Sequence, residues 1–320
     1  MDRVLPLADG RVQIGSQGAP IDATVSLMPT QALFNQQLVD HTFDCVEFPI
    51  ATFVRLMEQE RNPYIALPVF PSRHFRLSCV FVNRQSGITQ PADLAGKRIG
   101  LPVFDMAAAV WLRGIFAEYY DLDILAPIYV SGGLEDARTG DEHPQYYPPQ
   151  FTLEHRNDAS LAQLLADGEI DALYTARAPS TWPSDTVTRL FDAPRGEELR
   201  YFQRSNIFPP MHVLALKRDI AEQHPEVIAA IYRAFGEAQR VARRDLWDST
   251  ALSTMLPWQL EALRESEDLL GGDPWPMGFA KNSHTIRTLM RYLYNDGLIT
   301  TEFVPEDMFA GPEQDFLLST

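Results

Sequence analysis

Only two cysteines occur in the chain, Cys45 and Cys79, each inside an apolar, strand-like run. Two thiols make neither a disulfide framework nor a zinc-ligand spacing, and in such surroundings they read as inert buried groups. No His-x-x-x-His or His-Glu-x-x-His spacing is present either. Runs of basic residues are missing, and 27 Lys+Arg against 43 Asp+Glu leave a net charge of −16. A chain this acidic lacks the cationic surplus that a phosphate backbone requires, which excludes a nucleic-acid partner. Apolar runs stay far short of the roughly 18–20 residues that cross a bilayer, so no membrane association is predicted. Residues 1–10 carry no positive stretch, apolar core and small-residue cleavage site in succession, and a cytoplasmic location is expected. Also absent are a Walker Gly-Lys-Ser/Thr string, a Gly-x-Ser-x-Gly elbow and the third glycine that would turn Gly15 and Gly18 into a dinucleotide fingerprint.

What is present is an ordinary globular composition, 45% apolar and 22% charged, over 320 residues. That length suits two domains or one large one. Strand-like and helix-like segments alternate, as in an α/β protein with parallel sheets. Strands are predicted at 11–14, 44–48, 65–70 and 77–82. Helices are predicted at 29–39 and 49–59, where Pro49 sits near the first turn and its missing N–H is harmless. A second cycle starts at Asp93-Leu94-Ala95-Gly96-Lys97-Arg98-Ile99-Gly100-Leu101 and runs into the apolar segment 105–119. Leu161, Leu164 and Leu165 share one helical face ahead of Gly168 and the strand-like Ile170-Asp171-Ala172-Leu173. Residues 136–151 read as a surface excursion, 213–216 as a strand, and 225–246, 256–270 and 281–295 as helices. The order predicts one lobe interrupted by another: 1–84 plus 213–320 as lobe 1, and 85–212 as the inserted lobe 2. A ligand cleft is expected between them, beyond strand ends and at helix N-termini.

Several strings carry a family resemblance. Ala66-Leu67-Pro68-Val69-Phe70-Pro71-Ser72-Arg73-His74-Phe75-Arg76 is followed by Pro91-Ala92-Asp93-Leu94-Ala95-Gly96-Lys97-Arg98-Ile99-Gly100 and Ala107-Ala108-Ala109-Val110-Trp111-Leu112-Arg113-Gly114. Gly132-Gly133-Leu134-Glu135, Ile207-Phe208-Pro209-Pro210-Met211-His212-Val213, Leu256-Pro257-Trp258 and Asp273-Pro274-Trp275-Pro276-Met277-Gly278 continue the pattern. Over nearly its whole length the chain resembles the 4,5-dihydroxyphthalate decarboxylase family. The resemblance implies a two-lobed type II periplasmic-binding-protein-like α/β fold, each lobe a doubly wound sheet, with a helical C-terminal return. The stretch Asp136–His143 and the doubled Pro209-Pro210 depart from the family pattern and bear on which aromatic acid is taken.

The implied reaction is decarboxylation of a hydroxylated aromatic dicarboxylate without an organic cofactor; a divalent metal on vicinal hydroxyls stays open, as does a homo-oligomer. Removing CO2 directly would leave a costly carbanion on the ring. Protonating the carboxylate-bearing carbon instead, with a hydroxyl ortho or para to it, lets CO2 leave as aromaticity returns. Such a site needs cations for carboxylates, a proton donor, and a partner for the phenol oxygen. In an extended segment His74 and Arg76 face one way and Arg73 and Phe75 the other. Arg73 and Arg76 are candidate carboxylate clamps and His74 the first candidate acid, against the blander reading of a surface turn paired with neighbouring acids. His212, ahead of a strand, and Glu47, at a strand end among apolar neighbours, are the next catalytic candidates; a structural histidine and a helix cap are the alternatives. Arg177 is read as a second clamp. Ser16 beside Gly15, Met106 at a helix start and Glu135 after a Gly-Gly turn complete the substrate-binding set with Trp111, which as readily belongs to the core. A non-catalytic binding or sensing protein for an aromatic acid would use the same fold and arginines. A thiamine-pyrimidine synthase of this fold fits less well, because its Cys-rich metal motif has no counterpart here.

Overall fold

The structure, a computed structural model, describes residues 2–16, 19–60, 62–138, 147–309, 311 and 314–319. Gln17, Gly18 and the larger part of the 136–151 excursion, 139–146, lie outside the described residues. Along the chain, α1 (Leu5–Ala8) leads to an antiparallel pair, β1 (Gly15–Ser16) and β2 (Ala19–Pro20), then α2 (Thr30–Asp40), β3 (Cys45–Pro49), α3 (Ile50–Leu56) and β4 (Tyr64–Leu67). Next come β5 (Val80–Asn83), β6 (Arg98–Leu101), α4 (Ala107–Tyr120), β7 (Ile128–Ser131), β8 (Thr152–His155), α5 (Leu161–Asp167), β9 (Ala172–Tyr174), β10 (Val187–Arg189) and α6 (Pro194–Ser205). β11 (His212–Lys217) precedes α7 (Arg218–Gln223), α8 (Glu226–Trp247), α9 (Gln259–Leu270), α10 (Ser283–Asn295) and α11 (Gln314–Ser319).

These elements fall into two compact units. Unit 1 takes Met1–Arg73, His212–Arg287 and Phe303–Thr320; unit 2 takes His74–Met211 and Thr288–Glu302. The first limit therefore lies between Arg73 and His74, ahead of Asn83-Arg84, because β5 pairs with β9 and β10 of unit 2.

Unit 2 is built on one sheet in the order β10-β5-β9-β6-β7-β8. β9, β6, β7 and β8 run parallel, while β5 is antiparallel to both of its neighbours. Local chemistry sets its crossover helices. Ser160 Oγ accepts the Gln163 N–H at 3.2 Å and starts α5. Leu161, Leu164 and Leu165 sink into a core with Phe81, Val130, Leu173 and Val187, and Gly168 at φ +76° ends the helix in a conformation that costs other residues energy. Along α4, Arg113 is fully buried and donates from Nε and Nη2 to Asp296 Oδ2 at 2.9 and 2.7 Å, and from Nη1 to the Phe104 carbonyl. Burial pushes the Asp296 carboxyl above the usual range even beside that guanidinium. The pair is a structural one, enclosed by the rings of Phe104, Tyr129 and Phe151.

The sheet of unit 1 has three strands in the order β3-β11-β4, with β11 antiparallel to both neighbours. It is a small antiparallel layer where the resemblance implied a doubly wound sheet, since the helices that follow β11 return no further strand to it among the described residues. Buried Gln37 ties α2 to this sheet by donating to the Tyr64 hydroxyl (2.8 Å) and the Phe43 carbonyl (3.1 Å). Leu7 and Val12 pack on Ala234, Ala238 and Val241 of α8.

The helices at 225–246, 256–270 and 281–295 form close to the expected limits. Two strand expectations fail. Residues 11–14 form no strand, and pairing starts only at Gly15. Of 77–82, the first three residues make a single 3-10 turn, Leu77–Cys79, so β5 begins at Val80. Cys79 is buried, Cys45 half-buried, and both are free; desolvation pushes the Cys45 thiol up to about 12, far from a reactive thiolate. No helix among the described residues is long and apolar enough to cross a membrane.

Candidate active site

In unit 1 the strand register brings two of the sequence-predicted residues together. Leu214 of β11 lies opposite Glu47 of β3, and His212 opposite Pro49. Alternation puts His212 on the same face as Leu214, so Glu47 and His212 are diagonal neighbours on one surface of the sheet. His212 Nδ1 and Glu47 Oε1 are 2.5 Å apart, with the two side chains 18% and 15% exposed. The Phe34 ring, from α2, stands edge-on to the imidazole at 4.9 Å between centroids. His212 Nε2 makes no hydrogen bond to a described residue. An imidazole with one nitrogen fixed on a carboxylate and the other open to a ligand is the arrangement of an oriented general acid or base. The carboxylate holds the ring's orientation and offsets its positive charge when protonated.

Two arginines of unit 1 surround the stretch 273–278. Arg3 stacks over Trp275 at 3.7 Å, donates to the Pro71 carbonyl, and feels the charges of Asp2 and Glu47. Arg73 is buried. It donates to Asn282 Oδ1 and to the Pro276 carbonyl at 3.2 Å, while Asn282 donates to the carbonyls of Pro276 (3.0 Å) and Gly278 (2.7 Å). Desolvation lowers the pKa of Arg73, opposed by Asp273 and aided by Arg3. The guanidinium is thus built into a polar cluster of its own unit. Sequence reasoning did not single out Arg3, Phe34 or Asn282, which carry no local motif.

Unit 2 holds the other half of the Arg-His-Phe-Arg string. His74 is exposed, its backbone N–H donating to the Pro209 carbonyl at 3.0 Å and its Nδ1 turned to the Phe75 carbonyl. Desolvation by the surrounding chain and then the Arg76 charge hold its imidazole below the ordinary histidine range. Arg76 is buried, with Nε at 3.0 Å from Met211 Sδ and Nη1 at 3.7 Å from Cys79 Sγ and 3.4 Å from the Ala176 carbonyl. Among the described residues no carboxylate comes within ion-pair distance of it. Buried cations without a paired acid are costly and point to an anionic ligand. Half-buried Glu198 accepts the Ser78 N–H at 2.8 Å, and burial raises its carboxyl above the usual range against the pull of Arg189 and Arg76. As the second of two adjacent glutamates on α6, it offered no signal in the sequence.

The remaining candidates are dispersed. Trp111 is fully buried, donating from Nε1 to the Pro210 carbonyl at 3.0 Å and edge-on to Tyr292, so its ring belongs to the core. Met106 is the half-buried residue before α4, where its carbonyl accepts the Ala109 and Val110 N–H groups. Arg177 lies exposed, three residues beyond β9. Glu135 is exposed and accepts the Ser180 N–H at 3.0 Å and its hydroxyl at 2.5 Å. Ser16 pairs with Ala19 through the backbone, and its side chain lies outside the described ones.

Comparison with known proteins adds what geometry leaves open. The chain is 34% identical over 311 residues to the 4,5-dihydroxyphthalate decarboxylase of Comamonas testosteroni, covering 96% of this chain and 93% of that one. It belongs to the 4,5-dihydroxyphthalate decarboxylase family. As a member of that family it is a carboxy-lyase. The enzyme of the same name from Pseudomonas putida is 32% identical over 197 residues, 61% of this chain and 75% of the relative. No protein-family model matches. Among solved structures, protein AF1704 of Archaeoglobus fulgidus (TM-score 0.51, 14% identity, 93% of this chain and 94% of that one) shares the fold. So does the periplasmic sulfonate-binding protein SsuA of Methylobacillus flagellatus (TM-score 0.51, 14% identity, 90% and 78%). This carboxy-lyase therefore has the periplasmic-binding-protein-like α/β fold expected from its sequence.

Proposed function

We propose that the chain decarboxylates 4,5-dihydroxyphthalate, or a closely related hydroxylated aromatic dicarboxylate, to the corresponding dihydroxybenzoate (protocatechuate) and CO2. The names of the two relatives support the substrate class, and the observation that carries the chemistry is the Glu47–His212 pair. In 4,5-dihydroxyphthalate each carboxylate-bearing carbon has a hydroxyl para to it. His212, protonated and oriented by Glu47, gives its Nε2 proton to one such carbon while electron density moves in from the para oxygen. The bond to the carboxylate then breaks, its electron pair restores the aromatic ring, and CO2 leaves. The imidazole regains a proton from water, so the net change is one carboxylate exchanged for one proton.

Arg76, a buried guanidinium of unit 2 with no carboxylate at ion-pair distance among the described residues, is by itself a candidate contact for an anionic group. The ring itself takes up the electrons, so the proposal calls for no organic cofactor. Among the described residues no three His, Cys, Asp or Glu side chains gather as a metal-binding group, and the chelation experiment tests metal dependence directly. Chelator-treated protein is incubated with 4,5-dihydroxyphthalate in D2O, following CO2 and the product by NMR. The proposal expects turnover, with one deuterium on the carbon that lost its carboxylate. Inactivity toward all hydroxyphthalates would overturn the substrate class, and activity restored only by a divalent cation would overturn the cofactor-free route.

A further inference from the structure

Three arginines are buried among the described residues, and their charges are compensated unequally. Arg113 has the Asp296 carboxylate, and Arg73 has the oxygens of Asn282 and Pro276. Arg76, 7% exposed, has two sulfur atoms, those of Met211 and Cys79, and the Ala176 carbonyl at 3.4 Å. Sulfur is a weak acceptor, so these contacts replace little of the hydration that the guanidinium gave up. Glu198 feels the Arg76 charge, but its carboxyl accepts the Ser78 N–H and lies beyond ion-pair distance of the arginine.

One edge of this guanidinium is within reach of a ligand. Nη2 donates to no described residue and retains accessible surface. Nη1 meets the carbonyl of Ala176, an exposed residue two positions beyond the carboxyl end of β9. β9 runs parallel to β6, and open α/β sheets take ligands beyond the carboxyl ends of such strands. One cation neutralises one anion, and the planar Nη1–Nη2 edge matches the two oxygens of a carboxylate. A buried charge left alone lowers stability, and a counter-charge that binds only the folded chain restores it.

We propose that Arg76 forms, within unit 2, a binding site for one carboxylate group, and that filling this site stabilises the fold. A single carboxylate then suffices for binding, so an acid with one carboxylate and no hydroxyl is a ligand without being a substrate. The proposal deepens the reading of Arg76 given above, yet needs neither turnover nor the Glu47–His212 pair.

Thermal unfolding of the full chain with and without benzoate tests it, with benzamide as the neutral analogue of the same shape and inorganic sulfate, at equal ionic strength, as the non-planar anion. At benzoate about fivefold above its Kd the wild-type midpoint should rise by about 2 °C or more. Benzamide should leave the midpoint in place, and sulfate should move it less. Arg76→Met puts an apolar side chain of similar length beside the two sulfurs, so its ligand-free midpoint should be no lower than that of the wild type and should not respond to benzoate. Arg76→Lys keeps the charge without the fork and covers the case in which the methionine variant does not fold; calorimetric titration should show it binding benzoate about tenfold more weakly. A wild-type midpoint unmoved by millimolar benzoate, or raised as much by sulfate, would overturn the proposal. So would undiminished benzoate binding to Arg76→Lys, a benzoate response that persists in Arg76→Met, or a folded Arg76→Met chain less stable than the ligand-free wild type.

Discussion

His212 and Glu47 are 165 positions apart, and nothing in either neighbourhood announces the other. The sequence showed each as a polar residue at the end of an apolar strand. Their meeting depends on β3 and β11 pairing in one register, a long-range fact that local patterning does not encode. The Arg-His-Phe-Arg string shows the opposite limit. Its residue types were legible as anion-binding chemistry, but its alternation was not, because the chain leaves the extended conformation for the turn at Leu77–Cys79. Arg73 is absorbed by Asn282 and the Pro276 carbonyl, whereas Arg76 keeps a guanidinium with only sulfur and carbonyl contacts. Arg76→Lys removes the bidentate fork while keeping the charge. Steady-state kinetics should show KM rising about tenfold or more, with kcat within a few-fold. The depressed pKa of His74 makes it mostly neutral near pH 7. An enzyme relying on it as the acid would gain kcat as pH falls toward that pKa, so a His74→Asn variant with near-normal kcat is expected here.

At the scale of elements, strong local signals were readable and weak ones were not. α5 was visible because its leucine face and glycine stop lie within a few residues, and the structure adds the Ser160 cap. β7, β8 and β10 went unread: three or four residues each, they owe their pairing to neighbours far along the chain. The glycine inside α4 shows how packing overrides propensity. A Cβ on Gly114 would lie 2.2 Å from Tyr292 Cδ2, and that ring is buried with its hydroxyl bonded to Glu118 at 2.8 Å. Alanine would gain helix propensity of about 1 kcal/mol. Forcing apart two packed surfaces costs about 1–3 kcal/mol. Gly114→Ala should therefore destabilise the protein, measured as a lower midpoint of denaturant unfolding; an unchanged or higher midpoint would show that the ring yields freely.

At the scale of the molecule, the net charge of −16 opposes the approach of a dianionic substrate. Raising ionic strength from about 0.01 to 0.15 M shortens the screening length from about 30 to about 8 Å. kcat/KM for a hydroxyphthalate should rise over that range with kcat unchanged; a fall would mean that the guanidinium field near the site outweighs the global charge. The α/β class and the family could be read from the sequence because they rest on alternation and on contiguous strings such as 66–76 and 107–114. Three-dimensional neighbours such as Glu47 with His212 could not.

The central claim is that the Glu47–His212 pair delivers the proton, and the most direct measurement is kcat and KM for His212→Asn and Glu47→Gln with 4,5-dihydroxyphthalate. Loss of a positioned acid costs about 10²–10⁴-fold in rate. The account predicts a fall of that order in kcat for His212→Asn, a smaller one for Glu47→Gln, and KM nearly unchanged in both. Turnover by His212→Asn at the wild-type rate would contradict it.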